Sequence, residues 1–257
     1  MALVAPVVRF GASRVSWSLV AAAIAVQIMY PLMPEPWRTS VTVTSVIVFF
    51  MASVADVARL HGRNGAVLLI AIAGGGGLFA EAVGVATGFP FGPYAYTGTL
   101  GPELLGVPLV VPLAWVMMAW PALVVARTLA RRGVAIVLIG AFALTAWDLF
   151  LDPQMVAAGH WFWFDPEPGL PLIPGVPLTN YAGWLLVSVV VLGLLNATLR
   201  HGDGPSGPAA TLYLWVYFSS VMAHAVFFGL PGSAVTGGVI MGAVAIPFAV
   251  ALWRRRG

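Results

Sequence analysis

Long apolar runs separated by short polar connections dominate this sequence. An α-helix needs about 20 apolar residues to cross the hydrocarbon core of a bilayer. Four glycines at 74–77 fall inside one run, but glycines in lipid more often let helices approach each other than end one. The pattern predicts an all-α, polytopic membrane protein with a single domain over 1–257. Its eight predicted spans are 15–32, 41–59, 66–87, 107–129, 134–151, 181–199, 211–229 and 234–253.

Arginine marks every second connection between the predicted spans. The remaining connections hold one arginine, Arg38. Because basic loops stay on the cytoplasmic side, we expect both termini in the cytoplasm. The long connections 88–107 and 153–180 are then on the outer side, where their Pro, Gly and aromatic residues would fold over the helix ends as lids. The basic residues of the cytoplasmic side are Arg9, Arg14, Arg59, Arg63, Arg127, Arg131, Arg132, Arg200, Arg254, Arg255 and Arg256.

Composition supports the membrane assignment and excludes several functions. Only 8% of the 257 residues are charged, whereas a soluble domain carries about 25%. The basic residues are dispersed, so the pI near 9.7 does not indicate nucleic-acid binding. The chain contains no cysteine, which excludes disulfides and thiolate metal sites, and no lysine, which excludes a retinal Schiff base. We expect a multi-pass protein of the cell membrane.

Three ionisable residues share the outer third of the predicted bilayer on three different helices: Glu81, Asp148 and His224. An ionisable group inside a membrane indicates a functional site by default. The alternative is that these groups only bond helices to one another. A fourth, Asp56, lies three residues before Arg59, where a local ion pair explains it.

Asp148 and Asp152 are four residues apart and so share one helix face. Two carboxyl groups about 6 Å apart in a low dielectric do not ionise together easily, and we expect the pair to keep one proton at neutral pH. A carboxylic acid of this kind can act as a general acid. The alternative is that Asp152, followed by Pro153, simply ends the helix in water.

Aromatic residues crowd the same side of the predicted membrane. Each one alone is best explained as an interfacial anchor. As a group beside buried acids, they could stabilise a carbocation through cation–π attraction or line a slot for a flat polyene. They are Phe89, Phe91, Tyr94, Tyr96, Trp147, Trp161, Trp163, Tyr181 and Trp184.

The sequence predicts neither a metal nor a cofactor. Oxygen-activating membrane enzymes hold iron with clustered histidines, whereas His61, His160, His201 and His224 are scattered. No phosphate-binding loop or dinucleotide motif follows a predicted strand. Any hydroxyl group that this protein installs would therefore come from water.

Four sequence blocks are distinctive when taken together: GFPFGPYAYTGTLGPELLGVPLVVPLAW (88–115), AWDLFLDPQM (146–155), GHWFWF (159–164) and GVPLTNYAGW (175–184). These blocks resemble the CruF-type carotenoid biosynthesis membrane proteins. The resemblance implies cofactor-independent hydration of the terminal C1–C2 double bond of a ψ-end carotenoid, giving a tertiary 1-hydroxyl group. The implied partners are a carotenoid or other long isoprenoid substrate, the lipid bilayer and other carotenoid-synthesis enzymes, with no nucleic acid.

The candidate site follows from this chemistry. Acid-catalysed hydration needs an undissociated acid in a dry pocket, aromatic faces beside the cation and a placed water molecule. We expect Asp148 or Glu81 to donate the proton. Asp152, His224 and Asn180 would share the proton or orient the water. The candidate substrate-binding residues are Asn180, Trp147, Trp161, Trp163, Tyr94, Tyr96, Tyr181 and Trp184.

Two other functions stay open from the sequence. The D-x-x-x-D spacing of Asp148 and Asp152 occurs in membrane prenyltransferases, although these acids lie on the outer side, away from a cytoplasmic diphosphate donor. A proton-coupled transporter is the second alternative, with Glu81, Asp148 and His224 as a relay.

Overall fold

The computed structural model describes residues 10–200 and 205–255, and the chain is mainly helical there. Arg9, His201 and Arg256, which figure in the sequence analysis, lie outside the described residues. The helices are α1 (Phe10–Met29), α2 (Glu35–Leu69), α3 (Gly76–Thr87), α4 (Val110–Leu129), α5 (Gly133–Ala157), α6 (Leu178–Thr198), α7 (Gly207–Val226) and α8 (Pro231–Arg254).

Within the described residues, seven helical stretches are long and apolar enough to cross a membrane. This is a multi-pass membrane protein. One stretch, Glu35–Thr87, is 53 residues long, more than twice what a single span needs. It holds both of the spans predicted over 41–59 and 66–87. The count of eight spans and the cytoplasmic location of both termini stay predictions.

The long stretch turns back on itself at Gly62. This glycine has φ 71 and ψ −177, outside the helical region. On one side of it, the Ser53 hydroxyl donates to the Met117 carbonyl over 2.7 Å. On the other side, Gly77 lies against the Trp115 ring. A straight helix would hold residues 53 and 77 about 36 Å apart, so contact of both with the same part of α4 requires the reversal.

A wide π-type turn, Ile70–Gly75, joins α2 to α3. The glycine run continues the helix here and brings it close to α4. A Cβ atom on Gly77 would lie 2.5 Å from the Trp115 side chain, and one on Gly74 would lie 3.1 Å from Val116. The glycines thus allow the close approach expected from the sequence.

Six short strands lie in the two long connections of this mainly helical protein. They are β1 (Tyr94–Tyr96), β2 (Glu103–Leu104), β3 (Val107–Pro108), β4 (Trp161–Trp163), β5 (Gly169–Leu170) and β6 (Ile173–Pro177), in antiparallel pairs β1–β4, β2–β3 and β5–β6.

The β1–β4 pair ties the two long connections into one lid. Tyr94 pairs with Trp163, and Tyr96 pairs with Trp161. Successive side chains of a strand point to opposite faces, so these four rings face the bundle while Phe162 is exposed. Alternation of large rings over only three residues is too short to predict a strand from sequence.

Helix α5 extends beyond the predicted fifth span, because it continues past Pro153 to Ala157. Proline cannot donate a backbone hydrogen bond to the carbonyl four residues earlier. The Leu149 carbonyl instead accepts a hydrogen bond of 2.6 Å from the Ser233 hydroxyl of α8. A partner on a neighbouring helix therefore replaces the bond that proline removes.

Asp56 lies at the end of the helix bundle opposite the lid, and its contacts are structural, as predicted. It pairs with Arg59 over 2.7 Å. Its second oxygen accepts hydrogen bonds from the Trp120 indole at 2.8 Å and from the Ser206 hydroxyl. These contacts connect α2, α4 and the start of α7.

Candidate active site

A cavity of about 660 Å³, including space open to the surroundings, lies beneath the lid between α2, α3, α4, α5 and α6. Its lining is mostly aromatic and aliphatic, with three acid or amide groups. Eight of the twelve candidate site residues line it: Glu81, Tyr94, Tyr96, Asp152, Trp161, Trp163, Asn180 and Trp184. The structure thus brings together residues from α3, α5, α6 and both long connections. We call it the aromatic cavity.

Glu81 is buried in the wall of the aromatic cavity and is surrounded by hydrogen-bond donors. One carboxyl oxygen accepts from the hydroxyl groups of Tyr94 at 2.5 Å and Tyr96 at 2.8 Å. The other accepts from the indole of Trp115 at 3.2 Å. Three donors suit a carboxylate anion, which can only accept hydrogen bonds. The sequence analysis did not name Trp115 as a site residue, although it is the last residue of the first family-like block (88–115).

Tyr94 and Tyr96 in the lid stay protonated and so act as hydrogen-bond donors. Burial, followed by the nearby Glu81 carboxylate, raises the pKa of the Tyr94 and Tyr96 hydroxyl groups. Both therefore remain protonated across the ordinary pH range. Strand β1 thereby carries two fixed donors to a carboxylate on α3.

Asp148 and Asp152 are joined by one amide group. The Asn180 side-chain nitrogen donates to Asp148 over 2.8 Å and also to Asp152. The Trp161 indole donates to the second oxygen of Asp152 over 3.1 Å. The predicted shared helix face is therefore confirmed. The alternative that Asp152 ends the helix in water is wrong, because Asp152 is 3% exposed and α5 continues beyond it.

The aspartate pair lacks a cationic partner among the described residues. In residues 10–200 and 205–255 the ion pair found joins Arg59 to Asp56, at the other end of the bundle. Asp148 is fully buried, and its Oδ1 atom has no hydrogen-bond partner in the described part of the chain. Two anions held by one neutral amide would repel each other strongly. The geometry therefore suits a pair that shares a proton.

His224 does not join the carboxyl groups, contrary to expectation. Its Nδ1 atom lies 3.0 Å from the Ser233 hydroxyl, which itself donates to Leu149. Because a hydroxyl has one hydrogen, Nδ1 donates to Ser233 and Nε2 carries the lone pair. His224 also packs against Phe150, two residues after Asp148 and thus on another face of α5. A similar predicted depth in the membrane thus did not bring His224 to the carboxyl groups.

The remaining aromatic candidates divide between the cavity wall and its surroundings. Trp115 and Trp184 stack with ring centroids 4.1 Å apart. Trp147 meets the edge of Trp184 at 6.1 Å but lines a neighbouring cavity instead. The Tyr181 hydroxyl is buried with no hydrogen-bond partner among the described residues. The cavity thus has aromatic faces on several sides.

No group of three or more His, Asp or Glu side chains in the described residues could hold a metal ion. Asp148 and Asp152, which have the spacing of a metal-binding motif, instead share the amide of Asn180. What the arrangement offers chemically is proton transfer. Among the described residues, Glu81 accepts from three hydrogen-bond donors, whereas the Asp148–Asp152 pair has fewer donors per carboxyl group. Both acid groups lie beside the aromatic cavity.

Comparisons with known proteins agree with the proposed resemblance. A family model described as carotenoid biosynthesis protein matches residues 39–226. A bisanhydrobacterioruberin hydratase of Haloarcula japonica is 34% identical over 175 residues, which cover 64% of this chain and 57% of that protein. The match thus spans a little over half of the relative's length. No solved structure matches. The match over 39–226 shows that this chain belongs to the carotenoid biosynthesis protein family.

Proposed function

We propose that this protein adds water across the terminal C1–C2 double bond of a ψ-end carotenoid, giving a tertiary 1-hydroxyl group without a cofactor. The observation that carries the proposal is the meeting of Glu81 and the Asp148–Asp152 pair around one aromatic cavity. The family description and the hydratase name of the relative support the same chemistry. The protein would act in the cell membrane, beside other carotenoid-synthesis enzymes.

The aspartate pair supplies the proton. Asp152 faces the cavity, and Asp148 lies behind it without access to the cavity. The π electrons of the alkene form a bond from C2 to this proton, leaving a tertiary cation at C1. The pair, now without its proton, carries one more negative charge beside the cation. Of the two donors expected from the sequence, Asp148 thus acts through Asp152.

Glu81 receives the second proton. Aromatic faces and a carboxylate stabilise the cation at C1. Water attacks C1, and the oxygen passes one proton to Glu81, directly or through the Tyr96 hydroxyl that contacts it. Return of this proton from Glu81 to the aspartate pair restores the starting state. The sum is alkene plus water giving a tertiary alcohol.

The two alternative functions have less support. A prenyltransferase would need a cationic or metal-bound site for diphosphate, and Mg²⁺-dependent activity would favour it. A proton-coupled transporter would use the same acids as a relay, but His224 lies apart from the aromatic cavity. Substrate uptake abolished by a protonophore would favour the transporter.

The proposal is tested in a bacterial host that makes lycopene. We expect Asp152→Asn, Asp148→Asn and Glu81→Gln each to lower the yield of hydrated product by at least about a hundredfold, because general acid–base groups contribute that much or more. The product is identified by a mass gain of one water per reacted end.

Matched control variants exist on the same side of the protein. Asp165→Asn and Glu103→Gln make the same chemical changes at exposed positions of the outer connections, and they should hydrate as well as the unmodified protein. Full yield of hydrated product from both Asp152→Asn and Glu81→Gln, at equal expression, would refute the proposed mechanism.

A further inference from the structure

A second cavity lies beside the aromatic cavity and is larger, at about 1160 Å³ including space open to the surroundings. Residues of α1, α2, α5 and α7 line it. Two of its polar lining residues are bonded to each other, because the Trp215 indole donates a hydrogen bond to the Gln27 side chain over 2.7 Å. Most of the remaining lining is apolar, and its other polar side chains include Thr42, Ser45, Gln154, Ser219 and Ser220. We call this space the lateral cavity.

The lateral cavity opens toward the region that lipid occupies. Large apolar side chains at its margin are exposed on both α1 and α7 and on the turns that follow them. In a helix that crosses a bilayer, such side chains face hydrocarbon. They are Ile28, Leu32, Met222 and Phe227. The lateral cavity therefore has an exposed apolar rim at these ends of α1 and α7.

The two cavities meet at a common wall. Thr42, Val46, Leu151 and Met155 line both of them. Leu151 and Met155 belong to the same helix as Asp152, so this wall, which we call the neck, lies directly beside the proposed proton donor. An apolar chain lying in the lateral cavity would reach the acids after passing the neck.

We propose that the lateral cavity is the binding channel for the polyene chain of the substrate, which enters from lipid at the exposed apolar rim. This inference rests on the proposed function. A carotenoid is far longer than the ψ-end group that reacts, so the chain must leave the aromatic cavity somewhere. The shared wall at the neck, the largely apolar lining and the exposed apolar rim favour this route. The reactive end lies against Asp152 while the chain extends through the neck toward the bilayer.

Two alanines of α7 provide a matched pair for the test. Ala223 lines the lateral cavity, whereas Ala225 is exposed and lines neither cavity. In the lycopene-making host, Ala223→Phe should lower hydration at least about tenfold because the ring fills the channel. Ala225→Phe should hydrate normally. Equal yields from the two variants would overturn the proposal.

A reversible version separates blocking from misfolding. Because the chain has no cysteine, Ala223→Cys and Ala225→Cys each carry one thiol. Benzyl methanethiosulfonate should stop lycopene binding by purified Ala223→Cys, measured from the absorbance of retained pigment. A reductant should restore binding in the same sample. Labelled Ala225→Cys should bind throughout. Binding that survives labelling at Ala223, as when the channel holds acyl chains only, would refute the assignment.

Asp152→Asn distinguishes this inference from the proposed function. It should retain lycopene but not hydrate it. If Asp152→Asn hydrates normally while labelled Ala223→Cys loses pigment, the channel stands and the mechanism fails. If Asp152→Asn is inactive while labelled Ala223→Cys keeps its pigment, the mechanism stands and the channel is wrong.

Discussion

Replacing Asn180 with leucine tests whether one amide group holds the two aspartates together. Asn180 is 1% exposed, and its side-chain nitrogen donates to both Asp148 and Asp152. Leucine is similar in size but cannot donate. The substitution removes the Asn180 donor from one buried oxygen of Asp148 and from one buried oxygen of Asp152.

The size of the effect follows from the type of bond that is lost. A hydrogen bond to a charged group contributes about 1.5–3 kcal/mol, whereas hydrogen bonds between membrane helices average about 0.6 kcal/mol. If the pair carries one negative charge, losing its bond and the second, neutral bond costs about 3 kcal/mol. For a protein of this size, that lowers the Tm by about 6–12 °C. Without the bridging donor the pair also holds its proton more tightly, and hydration falls at least about tenfold.

Thermal unfolding in detergent, followed by tryptophan fluorescence, measures the first effect, and pigment mass measures the second. Ser188→Ala is the control, because Ser188 accepts a neutral bond from Thr145 between the same two helices, α5 and α6. It should lower the Tm by about 1–2 °C. A shift for Asn180→Leu no larger than that of Ser188→Ala would show that the amide does not hold a charged pair.

Two further predictions concern the lid. Burial lowers the pKa of His160 from its ordinary value of 6.5, so the unfolded chain binds more protons. His160 should therefore contribute no loss of stability above about pH 6.5 and a growing loss as pH falls below it. A Tm–pH curve for His160→Gln should be flatter there, and identical curves would contradict the assignment. In Gly183→Ala, the new Cβ would lie 2.6 Å from the Pro90 carbonyl oxygen. The lid must shift, and both Tm and hydration should fall, whereas Gly193→Ala, whose Cβ has its nearest contact at 3.9 Å, should keep both.

The membrane architecture was predictable because each span carries its own signal. About 20 apolar residues identify a span wherever its neighbours lie. The spacing of Asp148 and Asp152 was equally local, since four residues on a helix set one face. The family resemblance was confirmed by the match over residues 39–226. These features need no knowledge of how helices pack.

Features that depend on contact between distant segments were not predictable. The donation from Trp115 to Glu81 and the position of His224 beside Ser233 follow from which faces of neighbouring helices meet. Proline at 153 indicated a helix end, but a hydroxyl on α8 replaces the missing bond. The pairing of β1 with β4 spans more than sixty residues, and neither strand is long enough to be recognised alone.

The wide turn over Ile70–Gly75 helps to set the direction in which the Glu81 side chain points. Such a turn holds an extra residue compared with an ordinary α-helical turn, and one residue corresponds to about 100° of rotation. Glu81 follows the turn by six residues and inherits that rotation. Insertion or deletion of one glycine in this turn would therefore rotate the Glu81 carboxylate about the helix axis by about 100°. Neither Glu81 nor the aromatic residues around it would need to be replaced.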